Sequence, residues 1–253
     1  MDAMAERKKN PKKKPAPKKR GKGRKAPSLV ERAVTGLRRL IWGVCFGLLG
    51  IVLLATLIYA VVPPPTTPYM FSERSRLGAV SYDWTPIEEI APVMARAAVA
   101  AEDANFCLHW GLDVNAIRSA MDRGRGGAST ISQQVIKNAY LWHGRSWLRK
   151  AIEALWTPLS EAVWSKRRIL ELYLNIAEFD EGVFGVQAAA RHYFGVDAAD
   201  LNATQAARLA AILPSPKNRS ASRPSPYTRD RAAAIISGAQ TIKADGRADC
   251  FEN

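Results

Sequence analysis

The longest apolar stretch of the chain covers residues 41–62, which carry no charge. Wound as an α-helix, it would span about 33 Å, close to the roughly 30 Å hydrocarbon core of a bilayer. A helix in a soluble core would show a polar face over this length, and this stretch has none. The pattern predicts a single membrane-spanning helix. A cleaved signal peptide is the rival interpretation, but its apolar region would be only about 7–15 residues long.

After three prolines, apolar positions recur at helical spacing. They predict helices over residues 86–102, 128–140, 147–163, 165–176, 182–194, 204–213 and 229–242. Ser129 or Thr130 is placed to cap the second helix, and Pro158 is expected to kink or divide the third. No alternating strand pattern is found, so we expect a mainly α fold. The expected organisation is a disordered tail (1–40), the spanning helix (41–62), a linker and membrane-proximal segment (63–84) and one compact domain (85–253).

The formal net charge of +14 is typical of a nucleic-acid binder, but its distribution is not. Nearly all of it lies in residues 1–40, and the remaining chain is close to neutral. A basic flank before a spanning helix predicts a cytoplasmic N-terminus and an extracytoplasmic domain. The tail is therefore expected to set topology and lie against anionic lipid, and binding of nucleic acid is the less favoured alternative.

The three cysteines, Cys45, Cys107 and Cys250, do not have the spacing of zinc ligands. Cys107 and Cys250 could pair in an oxidising compartment. Two free thiols are the slightly favoured alternative on the sequence alone.

The segment AEDANFCLHWGLD (101–113) places Glu102 at the end of an apolar run. Glu102, Phe106 and His109 fall at i, i+4 and i+7, so we expect them to share one helix face. A carboxylate at such an apolar edge tends to have a raised pKa, which suits a general acid or base. The alternative is a solvated carboxylate at a helix end. His109 and Trp110 are expected to pack and orient the loop behind Glu102.

Two further clusters favour chemistry over a solvated surface. The predicted helix at 128–140 carries Gln133, Gln134, Lys137 and Asn138 on adjacent turns, where a solvated face would more often carry Glu and Lys pairs. Amides and a lysine suit a phosphorylated sugar. Farther on, Arg149 and Glu153 are spaced i, i+4, which indicates either an ordinary helical ion pair or an anion site beside a second carboxylate. No nucleotide-binding or zinc-binding motif is present.

These segments together resemble the peptidoglycan glycosyltransferases of glycosyltransferase family 51, in particular the monofunctional ones. The blocks that carry the resemblance occur in order: AAEDANFCLHWGLD (100–113), GGASTISQQVIKN (126–138), RKAIE (149–153), SKRRILELYLNIAEF (165–179) and GVFGVQAAARHYF (182–194). The resemblance implies a lysozyme-like, mainly α glycosyltransferase domain behind a single transmembrane helix. Bifunctional relatives carry a transpeptidase domain after this one, and no such domain is expected here.

The implied reaction joins lipid II into β-1,4-linked glycan with inversion and release of undecaprenyl diphosphate. By match to the family blocks, Glu102 is expected to deprotonate the acceptor hydroxyl with support from Asp103, and Glu153 to assist departure of the diphosphate. Lys137 and Arg149 are expected to bind that diphosphate. The other residues expected at the substrate are Phe106, Ser129, Thr130, Gln133, Gln134 and Asn138.

The resemblance also implies surroundings and partners. The enzyme is expected in the bacterial inner membrane with its catalytic domain in the periplasm. Expected partners are lipid II, nascent lipid-linked glycan, the membrane and proteins of cell-wall synthesis or division, with no nucleic acid. No cofactor and no metal site is expected, although a divalent cation could stimulate activity. A lytic enzyme on the same scaffold is one alternative, and it leaves Lys137 and Arg149 unexplained. A non-catalytic membrane scaffold protein is the other, and it leaves Glu102 and Glu153 together with the amide face unexplained.

Overall fold

The computed structural model describes residues 28–122, 124, 129–144 and 146–252. Residues 1–27 of the predicted disordered tail lie outside these residues, as does most of the glycine-rich sequence RGRGG (123–127). Residues 51–253 form one compact unit, and the chain up to Gly50 belongs to another.

The predicted spanning segment is the larger part of helix α1, Leu29–Val61. Residues 29–40, which the expected boundaries assigned to the disordered tail, are its first turns. The helix starts there because Ser28 and Glu31 form a reciprocal cap: the Glu31 amide donates to Ser28 Oγ at 3.2 Å and the Ser28 amide to Glu31 Oε2 at 2.7 Å. Helix α1 is long and apolar enough to cross a membrane, a test that a signal sequence also passes.

The rest of the described chain is mainly helical, as the periodicity predicts. Its helices are α2 (Pro68–Leu77), α3 (Pro92–Glu102), α4 (Val114–Asp122), α5 (Ile131–Tyr140), α6 (Trp147–Val163), α7 (Lys166–Ile176), α8 (Val186–Phe194), α9 (Ala203–Ile212), α10 (Pro226–Ala244) and α11 (Asp249–Glu252). Short 3₁₀ turns cover Ile87–Glu89, Phe106–Leu108, Ala198–Asp200 and Pro216–Asn218. Pro158 lies inside α6 and does not divide it.

The structure contains a small sheet that the sequence pattern did not predict. Strands β1 (Ser81–Tyr82), β2 (Glu178–Asp180) and β3 (Val183–Phe184) lie in the order β1-β3-β2, with β1 parallel and β2 antiparallel to β3. Strands of two or three residues are too short to show an alternation of polar and apolar positions. Because β1 pairs with β3 and Met70 of α2 is buried, the segment expected as a linker is part of the compact unit.

Two layers of helices position the candidate site. Helices α3, α9 and α10 pack against one another, and α5 packs between α6 and α7. The alanine-rich stretches of α3 and α9 allow close approach, and Ala98, Val99, Ala207 and Ala210 are fully buried. The end of α3 and the start of α5 therefore meet at the edge of a rigid core.

Cys107 and Cys250 are joined by a disulfide, with their Cα atoms 5.8 Å apart. The slightly favoured expectation of two free thiols is therefore wrong. The sequence could not decide it, because the two cysteines are 143 residues apart and come together only when α11 packs on the turn at Phe106–Leu108. Cys45 is a free cysteine and is exposed.

Candidate active site

Glu102 is the last residue of α3, and the chain turns away immediately after it. The expectation that Glu102, Phe106 and His109 share a helix face is wrong, because the helix ends at Glu102 and Asp103 adopts a non-helical conformation (φ −160°, ψ 69°). Glu102 Oε2 accepts a hydrogen bond from Gln134 Nε2 at 2.9 Å. Glu102 Oε1 is buried and has no hydrogen-bond partner among the described residues.

The environment of Glu102 favours the protonated form more than water does. Burial raises the pKa of the Glu102 carboxyl, and the hydrogen bond from Gln134 and the charges of Arg231 and Lys137 oppose that rise. A carboxylate with one oxygen free and a pKa moved toward neutrality has the properties of a general base.

Asp103 links the end of α3 to the start of α5. Its Oδ2 accepts from the Ile131 amide at 3.0 Å, and its Oδ1 lies 2.9 Å from His109 Nε2. Ile131 is the first residue of α5, so the carboxylate also lies at the positive end of that helix. Asp103 thereby fixes Glu102 relative to Gln134.

The loop after Asp103 supports the site from behind. Phe106 is fully buried, with the Lys166 ammonium 4.5 Å from its ring centroid and the Phe251 ring on another side. It has no surface toward the cleft. His109 packs as expected, but Trp110 is 63% exposed.

Helix α5 begins with a complete capping box. Thr130 Oγ1 accepts from the Gln133 amide at 3.2 Å, and Gln133 Oε1 accepts from the Thr130 amide at 3.1 Å. The Thr130 hydroxyl also donates to the Gly111 carbonyl at 2.6 Å. Thr130 and Gln133 are thus buried and occupied in holding the helix start, whereas Gln134 and Lys137 face the cleft.

Helix α6 carries a carboxylate between two cations. Glu153 is 2% exposed, and its carboxylate accepts from Arg149 Nη1 at 2.8 Å and from Lys150 Nζ at 2.5 Å. Lys150 Nζ also donates to Ser129 Oγ at 2.9 Å. Lys137 is close enough to Glu102 and Glu153 to feel both charges, and its burial lowers the pKa of its ammonium. The structure therefore brings the three sequence clusters into one site.

A cavity of about 340 Å³ opens beside Lys137 and adds residues that sequence reasoning missed. Its lining also includes Asn138, Tyr69, His143, Glu178, Lys217 and Asn218. Tyr69 stacks on His143 and donates to Glu178 Oε2 at 2.5 Å. Burial lowers the pKa of His143 to about 4, so its imidazole is neutral at pH 7. Of the missed residues, Glu178 lies within the block at 165–179, whereas Tyr69, His143, Lys217 and Asn218 lie outside the blocks, and no local pattern marks any of them as part of the site.

Among the described residues, no group of three or more His, Cys, Asp or Glu side chains is placed to hold a metal ion. Stimulation by a divalent cation stays a prediction.

The comparisons with known proteins identify the family of the chain. The sequence model of the Transglycosylase family matches residues 72–240. A biosynthetic peptidoglycan transglycosylase of Jannaschia sp. (strain CCS1) is 56% identical over 236 residues, covering 92% of this chain and 99% of the relative. A protein of the same name from Rhodospirillum centenum is 46% identical over 222 residues, covering 85% of this chain and 95% of the relative.

The helical domain and its cleft are therefore those of a glycosyltransferase with a lysozyme-like fold. The chain belongs to the family of the biosynthetic peptidoglycan transglycosylases, and the resemblance read from the sequence blocks is confirmed.

Proposed function

We propose that this protein polymerises lipid II into β-1,4-linked glycan strands of peptidoglycan, with inversion and release of undecaprenyl diphosphate. The observation that carries the proposal is Lys137, a largely buried lysine that lines the cavity and on which the charges of both Glu102 and Glu153 act. Glu102 is the proposed base, and Arg149 and Lys150 beside Glu153 are cations. This transfer requires both a base for the acceptor hydroxyl and cations for the leaving diphosphate.

On the acceptor side, Glu102 takes the proton of the GlcNAc 4-hydroxyl as that oxygen attacks the donor sugar. Its Oε1 is the oxygen without a partner, so it is the one free to accept that proton. Gln134 holds the other oxygen, and Asp103 fixes the backbone through the Ile131 amide. Attack on an α-linked donor from the opposite face gives a β link in a single displacement, so no protein nucleophile is needed.

On the donor side, the leaving diphosphate develops negative charge as the glycosidic bond breaks. Lys137, Arg149 and Lys150 supply positive charge there, because preorganised cations stabilise a developing anion. Glu153 holds Arg149 and Lys150 in place and assists departure of the diphosphate. Ser129, Gln134 and Asn138 contact the sugar, and Thr130 and Gln133 act through the geometry of α5.

We place the enzyme in the inner membrane, with α1 as a single-pass anchor, the N-terminus cytoplasmic and the catalytic domain in the periplasm. The length and apolarity of α1 and the basic residues before it support this topology. The proposed partners are lipid II, nascent glycan and other proteins of cell-wall synthesis or division.

The test is an assay of the full-length protein in detergent with purified lipid II. We expect glycan polymer together with undecaprenyl diphosphate. The lytic alternative is favoured by one observation, because a buried glutamate with a raised pKa also suits a general acid of a glycan-cleaving enzyme. Shortening of preformed glycan without polymer from lipid II would overturn the proposal in favour of that alternative.

A further inference from the structure

Arg231 lies beside the proposed base, although no sequence motif pointed to it. It belongs to α10, which packs along α3. Arg231 Nη2 donates to the Ala101 carbonyl at 3.2 Å, one residue before Glu102. The contact joins residues 130 positions apart in the chain.

The charge of Arg231 is not cancelled by a carboxylate of its own. Among the described residues, Arg231 forms no salt bridge, and its Nε is buried without a hydrogen-bond partner. Arg149 differs, because Glu153 pairs with it at 2.8 Å. The charge of Arg231 acts on the carboxyl of Glu102.

We infer that Arg231 is a positioning residue for the proposed base: its guanidinium anchors the last turn of α3 and sets a fixed positive charge beside the Glu102 carboxylate. The inference rests on the proposed function, since it gives Arg231 a role only if Glu102 is the base.

The physical reason is the balance between the protonated and the ionised form of the Glu102 carboxyl. Burial disfavours the carboxylate, and a base that stayed protonated at the working pH could not accept a proton. The charge of Arg231 lowers the pKa of Glu102 and so keeps more of it ionised. The polar and charged groups that bear on this carboxyl are Asp103 beside it, Gln134 and Lys137 on α5, Tyr173 on α7 and Arg231 on α10. Helix α9, which also packs on α3, carries Arg208 as its one charged residue.

Arg231 differs from Lys137 in what it is free to do. Lys137 lies in the cleft and lines the cavity. It is proposed to bind the diphosphate, so bound substrate neutralises part of its charge. Arg231 instead contacts the backbone next to the base, through its hydrogen bond to the Ala101 carbonyl. Its effect on Glu102 is therefore present in the free enzyme and appears in kcat/KM as a function of pH.

The experiment measures kcat/KM for lipid II from about pH 5 to pH 8 with the full-length protein, because the acid limb reports the free base. We expect Arg231→Met to move that limb to higher pH by about half a unit to one unit, and Arg231→Lys to leave it within about 0.2 unit of wild type. Arg229→Met is the matched control, because Arg229 is exposed on the same helix and, within the described part of the chain, its side chain hydrogen-bonds only to the Pro224 carbonyl. It should leave the profile unchanged.

An unshifted limb in Arg231→Met, or equal shifts in Arg231→Met and Arg231→Lys, would overturn the inference. If Arg231→Met does not accumulate as folded protein, the comparison of Arg231→Gln with Arg231→Lys decides it by the same criterion. Glu102→Gln is measured alongside. Near-normal activity in that variant means that the proposed base is wrong, whereas an inactive Glu102→Gln with an unshifted Arg231→Met contradicts only the role of Arg231.

Discussion

Two neighbouring glutamines on α5 serve different purposes. Gln133 closes the capping box with Thr130, and Gln134 donates to Glu102. The spacing Thr130-x-x-Gln133 is a capping signature that can be read from sequence. As members of one polar face, the amides predict Gln133 in the cleft instead. For single residues, the sequence therefore predicts which residue types occur at the site. The course of the backbone determines which of them face the cleft.

Replacement of Glu102 by Gln should separate activity from stability. The amide cannot accept the proton of the acceptor hydroxyl, so kcat should fall by at least about 10²-fold. The Gln carbonyl can still accept the hydrogen bond from Gln134, and a buried charge is removed, so the fold should be at least as stable. The measurements are lipid II turnover and thermal unfolding. Glu89→Gln, at an exposed glutamate, is the control and should change neither.

The raised pKa of Glu102 also predicts how stability depends on pH. The folded state binds this proton more tightly than the unfolded chain, so the contribution is present below the ordinary value of 4.5 and is lost as pH rises through the folded pKa. The free energy of unfolding of Glu102→Gln minus that of wild type should therefore be small near pH 4 and grow toward neutral pH. Denaturant unfolding across that range checks it, and a difference independent of pH would refute it.

Gly111 is a position where only glycine fits. Its φ is +75°, and an added Cβ would lie 2.7 Å from Thr157 Cγ2 on α6. Its carbonyl accepts the Thr130 hydroxyl that starts α5. Gly111→Ala should cost about 1–3 kcal/mol of stability and lower activity, because the start of α5 would shift. Denaturant unfolding and turnover are the measurements.

Gly195→Ala is the control for backbone strain alone. Gly195 has a similar φ of +66°, but nothing lies within 4 Å of an added Cβ. Its loss of stability should be smaller, and activity should be retained. Equal losses in the two variants would show that the contact with α6 is unimportant.

At the scale of elements, the sequence predicts helix centres better than helix ends. Periodicity places α6 at Trp147–Val163 as found. It merges the turn at Ile87–Glu89 with α3, because apolar residues continue through it, whereas α3 begins at Pro92. That error matters little, but the end of the same helix is decisive. It stops at Glu102, as the predicted range does, so Phe106 does not share the helix face of Glu102 and packs in the core.

The disulfide fastens α11 to the loop behind the proposed base. Arg247 Nη1 also donates to the Ala104 carbonyl at 3.0 Å, so the C-terminal segment holds that loop at two points. Cys250→Ser should lower stability by about 2–5 kcal/mol, as for removal of other native disulfides. Thermal unfolding with and without reductant is the measurement. Reductant should lower the Tm of wild type and leave that of Cys250→Ser unchanged.

Cys45→Ser is the matched control for that substitution. Cys45 is exposed and unpaired, so this variant should behave as wild type does in both conditions. A wild-type Tm that does not respond to reductant under conditions that open the disulfide would contradict a stabilising role.

At the scale of the whole molecule, the motif blocks predict the family. They do not predict which parts of the chain contact one another in the fold. Arg231 and Lys217 lie outside the blocks, and both reach the site from the C-terminal quarter of the chain. Their positions depend on how α10 and the turn at Pro216–Asn218 pack, which no local period encodes. The candidate base could be read from sequence, whereas the charges that tune it required the fold.

The last turns of α1 are built into the compact unit through Thr56. Its side chain is fully buried, Trp156 Nε1 donates to its Oγ1 at 2.8 Å, and Trp164 Nε1 donates to its carbonyl at 2.8 Å. Thr56→Val would leave the indole N–H of Trp156 without an acceptor, so it should cost about 1–3 kcal/mol. Because Trp156 lies on α6 with Arg149 and Glu153, turnover should fall as well. Thr35→Val is the control, since Thr35 is exposed on the same helix and its hydroxyl bonds, among the residues that the structure describes, only to the Glu31 carbonyl. The two variants are compared by unfolding of the full-length protein in detergent. Equal stabilities would mean that α1 does not stabilise the domain.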